Sequence, residues 1–227
     1  MKAIFLDRDG VINKDPGGWT KHSYVTDWKD FQFLPGAIEA LKLLSARRYE
    51  VIIISNQAGV GKGLFTKEEL IGVNHRMLEE IAKKGGRIKD VLYCMHKKED
   101  NCTCRKPNSG LLEKASHRHS INLRKTYFIG DSKVDVLAGK RVGCKTVFVL
   151  SGKMTIDELK KEGVRPDYVF KDLLEAVRWI LEKEKRKARR AVNREYRKDK
   201  PDEEDTADIR DGGDRAQESG DSAQEGI

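Results

Sequence analysis

Two aspartates stand one residue apart in Phe5-Leu6-Asp7-Arg8-Asp9-Gly10. At such a spacing one carboxylate can attack as a nucleophile. The other can carry a proton to the leaving oxygen and take one from the incoming water. Taken alone, Asp-x-Asp-Gly is also ordinary turn chemistry. Three further groups change its weight. Ser55-Asn56-Gln57-Ala58-Gly59 offers a hydroxyl and backbone N–H groups that suit phosphoryl oxygens. Arg105-Lys106-Pro107 offers cations just ahead of a helical pattern. Ile129-Gly130-Asp131-Ser132 is followed by Asp135, so Asp131 and Asp135 face one way if a helix begins between them. Asp131 suits a hard cation such as Mg²⁺, which prefers carboxylate oxygens. A nucleophile, a cation and donors for the equatorial oxygens are the parts that phosphoryl transfer needs.

A fifth group is of another kind. Cys94-Met-His96 precedes Cys102-Thr-Cys104 by five residues. Four soft ligands so close in sequence suit tetrahedral Zn²⁺, and a site filled by Cys94, His96, Cys102 and Cys104 leaves no open position for water. The alternative is a set of free thiols, with Cys94 and Cys104 ill suited to a core beside so charged a loop. Cys144 reads as a small buried residue. Gly59-Val-Gly-Lys-Gly63 tempts toward a nucleotide phosphate loop, but Asn56 stands where the first glycine belongs and Gly63 where Ser or Thr belongs.

The elements that must position these groups are legible as alternation. Strand-like runs fall at Ala3–Leu6, Val51–Ile54, Asp90–Tyr93, Thr126–Ile129, Thr146–Leu150 and Tyr168–Phe170. Amphipathic patterns lie between them at Ala37–Arg47, Lys67–Lys84, Ser109–His119, Val134–Val142 and Ile156–Glu162. Such alternation predicts an α/β fold, a Rossmann-like parallel sheet with helices on both faces. All-apolar Val51–Ile54 fits a strand buried on two sides. Each chemical group then sits at a strand's carboxyl end, where open parallel sheets bind ligands. Residues 13–34 have the composition of a flap, with Trp19 or Trp28 near its tip, and no insert is long enough for a large cap domain.

Residues 1–182 read as one domain, 183–200 as a basic helical extension and 201–227 as an acidic disordered tail. The net charge of +8 dissolves when located. Lys183–Lys200 holds ten Lys/Arg against three Asp/Glu, and Pro201–Ile227 holds two against ten. The extension reads as a solvated helix end or as a contact for nucleic acid or a membrane surface. No run approaches the ~20 apolar residues of a membrane span, and no signal pattern opens the chain. A cytoplasmic monomer without a polynucleotide partner is the expectation.

The ordered set Asp7-x-Asp9, Ser55, Lys106 and Asp131-x-x-x-Asp135 resembles the haloacid dehalogenase superfamily of phosphatases over residues 1–182. That resemblance implies Asp7 as nucleophile and Asp9 as general acid/base. It implies Ser55 and Lys106 on the transferring phosphoryl group, and Mg²⁺ on Asp7, the Asp9 carbonyl and Asp131. The Cys-x-His and Cys-x-Cys-Arg-Lys-Pro loop is similar to two branches, the heptose 1,7-bisphosphate phosphatases and the histidinol-phosphate phosphatases. The run Ser55 to Thr66 is closer to the heptose branch. By that likeness Arg105 touches substrate and Asp15–Gly18 with Ser55–Ala58, Asn56 among them, line the pocket. The heptose branch often has Lys where Ser132 follows Asp131, so Ser132 takes that place beside the substrate. A small phosphorylated sugar is the expected substrate. Histidinol phosphate and a polynucleotide 3′-phosphate are the enzymatic alternatives, and an inactive scaffold is the non-enzymatic one.

Overall fold

A computed structural model describes residues 2–18, 20 and 23–198 of the 227, with side chains to 195. Six strands form one parallel sheet: β1 (Lys2–Leu6), β2 (Tyr49–Asn56), β3 (Asp90–Cys94), β4 (Tyr127–Gly130), β5 (Lys145–Val149) and β6 (Tyr168–Phe170). Their order is β3-β2-β1-β4-β5-β6. The helices are α1 (Ala37–Ala46), α2 (Ala58–Gly61), α3 (Lys67–Lys83), α4 (Gly110–His119), α5 (Lys133–Arg141), α6 (Ile156–Lys161) and α7 (Leu173–Lys198). The α/β reading and its helices on both faces hold, and no large cap is present among the described residues.

Both sheet faces are dry because successive side chains point to opposite sides. Ile4, Leu6, Val51, Ile53, Tyr127 and Ile129 face one layer, where they meet Leu41 and Leu44 of α1, Met77 of α3 and Val177 and Ile180 of α7. Phe5, Ile52, Ile54 and Phe128 face the other, against Leu111 and Leu112 of α4 and Ala138 of α5. Each fully buried Ile or Phe contributes ~1.5–3 kcal/mol. The central strands therefore anchor whatever is attached to their ends.

Helix starts are specified locally. Thr66 accepts from the Glu69 N–H while the Glu69 carboxylate accepts from the Thr66 N–H. Thr155 and Glu158 repeat that reciprocal cap at α6. Between β1 and α1 the chain makes an excursion pinned by bridges Asp9–Asn13 and Asn13–Phe33. Trp28 stacks on Phe31 with ring centres 4.9 Å apart and packs on the core layer. It is an anchor of the excursion, not the tip of a flap, because burying an indole outweighs leaving it in water. Trp19 lies outside the described residues.

The chain divides into a unit Met1–Arg186 and a unit Lys187–Ile227. Within the first, Lys183 Nζ donates to Tyr168 Oη at 2.7 Å and lies 4.4 Å from the Trp179 ring centre. In the second, α7 continues to Lys198 with Lys187–Glu195 exposed. Residues 201–227, read as an acidic tail, lie outside the described residues. No helix among the described residues is long and apolar enough to cross a membrane.

Candidate active site

β1 and β4 are neighbours from which the chain winds outward in opposite directions, so their carboxyl ends open a crevice between them. Asp7 follows β1 and Asp131 follows β4. The Asp7 N–H donates to the Ile129 carbonyl at 2.9 Å, which ties the two ends together. Gly10, at φ +78°, turns the chain away, and a Cβ there or on Gly152 would collide with Asp131. The crevice needs a bare backbone on both flanks of that carboxylate.

Lys106 reaches this crevice from beyond β3. Its ammonium lies 2.9 Å from Asp7 Oδ2 and 2.6 Å from Asp135 Oδ1 and donates to the Ile54 carbonyl at 2.9 Å. Asn56, at the end of β2, holds the Lys106 backbone from both sides, donating to its carbonyl at 3.0 Å and accepting from its N–H at 3.1 Å. Burial pulls the Lys106 pKa down, but Asp135 and Asp7 more than offset it and raise it above the ordinary value. Lys106 is a fixed cation.

Asp7, Asp131 and Asp135 bring carboxylate oxygens within 4.8 Å of one another. Burial, set against the pull of Lys106 and joined by the charge of Asp135, pushes Asp7 up to about 6. Burial, then Asp135 and Asp7, holds Asp131 well above the carboxylate range. Three acids sharing one ammonium make a site that a divalent cation would relieve, and an all-oxygen donor set fits Mg²⁺. Asp135 also accepts from the Ser132 hydroxyl and, at 3.2 Å, the Ser132 N–H at the start of α5.

Asp7, Lys106, Asp131 and Ser132 line a cleft of about 440 Å³ that also takes in Asp9, Ser55, Lys62 and Lys153, with Asp135 buried behind them. Beside it lies a second cavity of about 420 Å³ bordered by Lys98, Arg105 and Lys133. Asn56, Lys106 and Val134 border both. Arg105 Nη1 is buried with no hydrogen-bond partner among the described residues.

The Cys/His loop closes on itself between β3 and α4. Cys104 Sγ is 3.4 Å from both Cys94 Sγ and Cys102 Sγ. His96 Nδ1 is 3.2 Å from Cys104 Sγ and 3.8 Å from Cys94 Sγ. With Zn–S bonds of about 2.3 Å, a tetrahedral S···S edge is ~3.8 Å, so the four atoms have nearly the spacing a zinc ion needs. Contrary to the expectation that its charged loop would keep it out of a core, Cys94 is fully buried against Ile54 and Leu112. It is the last residue of β3, and the sheet carries it inward.

A family model described as HAD-hydrolase-like matches residues 103–176. The D-glycero-beta-D-manno-heptose-1,7-bisphosphate 7-phosphatase of Pasteurella multocida is 34% identical over 186 residues, 79% of this chain and 96% of that relative. The chain belongs to the heptose-bisphosphate phosphatase family of haloacid dehalogenase-like hydrolases. The D-glycero-alpha-D-manno-heptose-1,7-bisphosphate 7-phosphatase of Campylobacter jejuni is 35% identical over 185 residues, 81% of this chain and 98% of that relative. The crystal structure of the D,D-heptose 1,7-bisphosphate phosphatase from B. bronchiseptica, complexed with magnesium and phosphate, matches with a TM-score of 0.75 at 30% identity. It covers 81% of this chain and 99% of that one.

In this haloacid dehalogenase-like phosphatase the tertiary structure brings Asp7, Asp9, Ser55, Lys106, Asp131 and Ser132 into one cleft. Two of the expected substrate contacts are also committed elsewhere. The Asn56 amide clamps Lys106, and the Ser132 hydroxyl engages Asp135. Asp15 and Pro16 line the cleft, whereas Gln57 and Ala58 are buried behind it. Arg105 borders the second cavity, not the first. Lys98, Lys133 and Lys153 escaped the sequence reading because a lone lysine carries no local signal, and Lys62 was weighed only as part of the rejected nucleotide loop. Arg8, between two chemical aspartates at a strand end, did carry one. It is fully buried, which no composition argument predicts for arginine.

Proposed function

We propose that the enzyme removes the 7-phosphate of D-glycero-D-manno-heptose 1,7-bisphosphate through an aspartyl-phosphate on Asp7. One observation carries the substrate reading. The cleft that holds Asp7 and Lys106 runs beside a second cavity with three further cations, one of them carrying a guanidinium nitrogen with no hydrogen-bond partner among the described residues. A sugar with phosphates at both ends has one anion for each cavity.

Asp7 attacks phosphorus, the P–O bond to the sugar breaks, and the departing oxygen takes the proton held by Asp9. Asp9 then receives a proton from water as that water attacks the acyl-phosphate, and Asp7 leaves as a free carboxylate. Ser55 and Lys106 hold the non-bridging oxygens. Asp7, Asp131 and the Asp9 carbonyl would hold Mg²⁺, which supplies charge neutralisation on the phosphoryl oxygens when bound. Asp135 keeps Lys106 and Ser132 in place. Cys94, His96, Cys102 and Cys104 would hold a structural Zn²⁺ whose loop presents Lys98 and Arg105. The same reading has the enzyme act in the cytoplasm as a monomer without a polynucleotide partner.

Released phosphate decides the matter in a panel with Mg²⁺ containing both anomers of the heptose bisphosphate, a heptose 7-phosphate, histidinol phosphate and a 3′-phosphorylated oligonucleotide. The expected result is fastest turnover of a bisphosphate, with the monophosphate held back by KM. Both anomers belong in the panel because the alpha and beta relatives are similarly identical to this chain. Equal efficiency on mono- and bisphosphate, or preference for histidinol phosphate or the oligonucleotide, would remove the heptose assignment.

A further inference from the structure

The carboxylate of Asp9 is gripped from three sides. Arg8 Nε donates to Oδ1 at 3.1 Å, and Arg8 Nη2 reaches Oδ1 at 2.9 Å and Oδ2 at 3.1 Å. Asn13 Nδ2 donates to Oδ1 at 2.9 Å and Gln57 Nε2 to Oδ2 at 2.8 Å. Arg8, Asn13 and Gln57 are all fully buried, and none borders the cleft. The guanidinium lies over the Tyr93 ring of β3, 5.7 Å from its centre.

This arrangement is costly for folding alone. Taking a guanidinium out of water costs several kcal/mol, and Nη1 of Arg8 finds no hydrogen-bond partner among the described residues. An apolar side chain of similar bulk would avoid both penalties. The grip makes sense in terms of what it holds. With no large cap present among the described residues, closure of a second domain is not available to swing an acid/base into line, so the carboxylate has to be set in advance. We infer that Arg8, helped by Gln57 and Asn13, is a positioning residue that fixes the Asp9 carboxylate in the attitude from which it serves the leaving oxygen. The inference rests on the assignment of Asp9 as acid/base.

The test compares two esters on the full chain with Mg²⁺. A sugar alkoxide departs only with a proton, whereas 4-nitrophenolate departs without one. The ratio kcat/KM reports the steps up to phosphoryl transfer, before water enters. Asp9→Asn should lower kcat/KM on the sugar phosphate by ~10²–10⁴-fold, the range of general acid catalysis, and far less on 4-nitrophenyl phosphate. Arg8→Gln should show a weaker form of that signature, ~10–100-fold on the sugar ester and within ~3-fold on the aryl ester. Arg8→Lys should restore part of the loss, because an ammonium reaches the carboxylate but cannot grip it bidentately.

Gln57→Met is made in parallel, since it removes one donor at nearly constant volume and remains testable if Arg8→Gln does not fold. It should lower the sugar-ester value selectively, by ~3–10-fold. Folded Arg8 or Gln57 variants that lose equally on both esters, lose on neither, or turn over the sugar phosphate faster would overturn the positioning role. An Asp9→Asn variant that does not discriminate between leaving groups would instead overturn the acid/base assignment beneath it.

Discussion

Asp7 sits between an ammonium that favours its charge and two carboxylates that oppose it. Asp7→Asn should abolish turnover yet leave the fold intact. An amide cannot form the acyl-phosphate, while Lys106 keeps its pairing with Asp135 at 2.6 Å. Retention of more than about a tenth of kcat, a barrier change of only ~1.4 kcal/mol, would contradict covalent catalysis at this residue. The raised pKa of Asp7 has a second consequence. Its folded value, about 6, lies above its ordinary 3.8. In the metal-free protein its stabilising contribution is therefore complete below about 3.8 and lost as pH rises through about 6. A cation held by these carboxylates reverses that loss. Mg²⁺ should accordingly raise the melting temperature more at about pH 7.5 than at about pH 5. Equal increments at the two pH values would show that the acid cluster is not where the cation binds.

The loop Cys94–Cys104 is the element whose shape depends most on a ligand. Apart from buried Cys94 it has little apolar surface to hold it, and its backbone leads directly to Arg105 and Lys106. About one zinc per chain should co-purify, and a chelator should lower the melting temperature before it lowers kcat. Zinc-free protein with an unchanged melting curve and full activity would refute the site. The sheet and helices show a different limit of sequence reading. Val51–Ile54 announces itself as an apolar run, yet β2 spans Tyr49–Asn56. Ser55 and Asn56 pair with Tyr93 and Cys94 through the backbone, and a ladder hydrogen bond is blind to side-chain polarity. Helix starts were easier to place, because Thr66 with Glu69 and Thr155 with Glu158 close their caps within one turn.

At the scale of the whole molecule, the residues of the cleft all precede Met154 and the last strand ends at Phe170. Residues 187–227 form a separate unit. A 1–186 chain should match the full chain in kcat/KM within about threefold, under ~1 kcal/mol. A larger fall on the sugar phosphate would show that the extension serves the active site. If the extension recruits a polyanion, truncation should instead remove only salt-sensitive binding.

The sequence by itself determined the class of the fold and the types of polar residue that stand at its strand ends. Apolar alternation is a local property, and a nucleophile, a cation ligand and a thiolate are recognisable by type and spacing. Tertiary structure decided which donors meet which acceptors. Lys106 lies 99 residues beyond Asp7 in number, and only the parallel order of β1, β2 and β4 places its ammonium between Asp7 and Asp135. Asn56 and Ser132 were legible as polar residues at strand ends, but whether each faces substrate or braces a neighbour depends on side-chain directions that spacing does not carry. The second cation-lined cavity is the clearest case. Lys98 and Arg105 come from the loop after β3 and Lys133 from the start of α5, and a charge is assigned to a site only when the fold has closed around it.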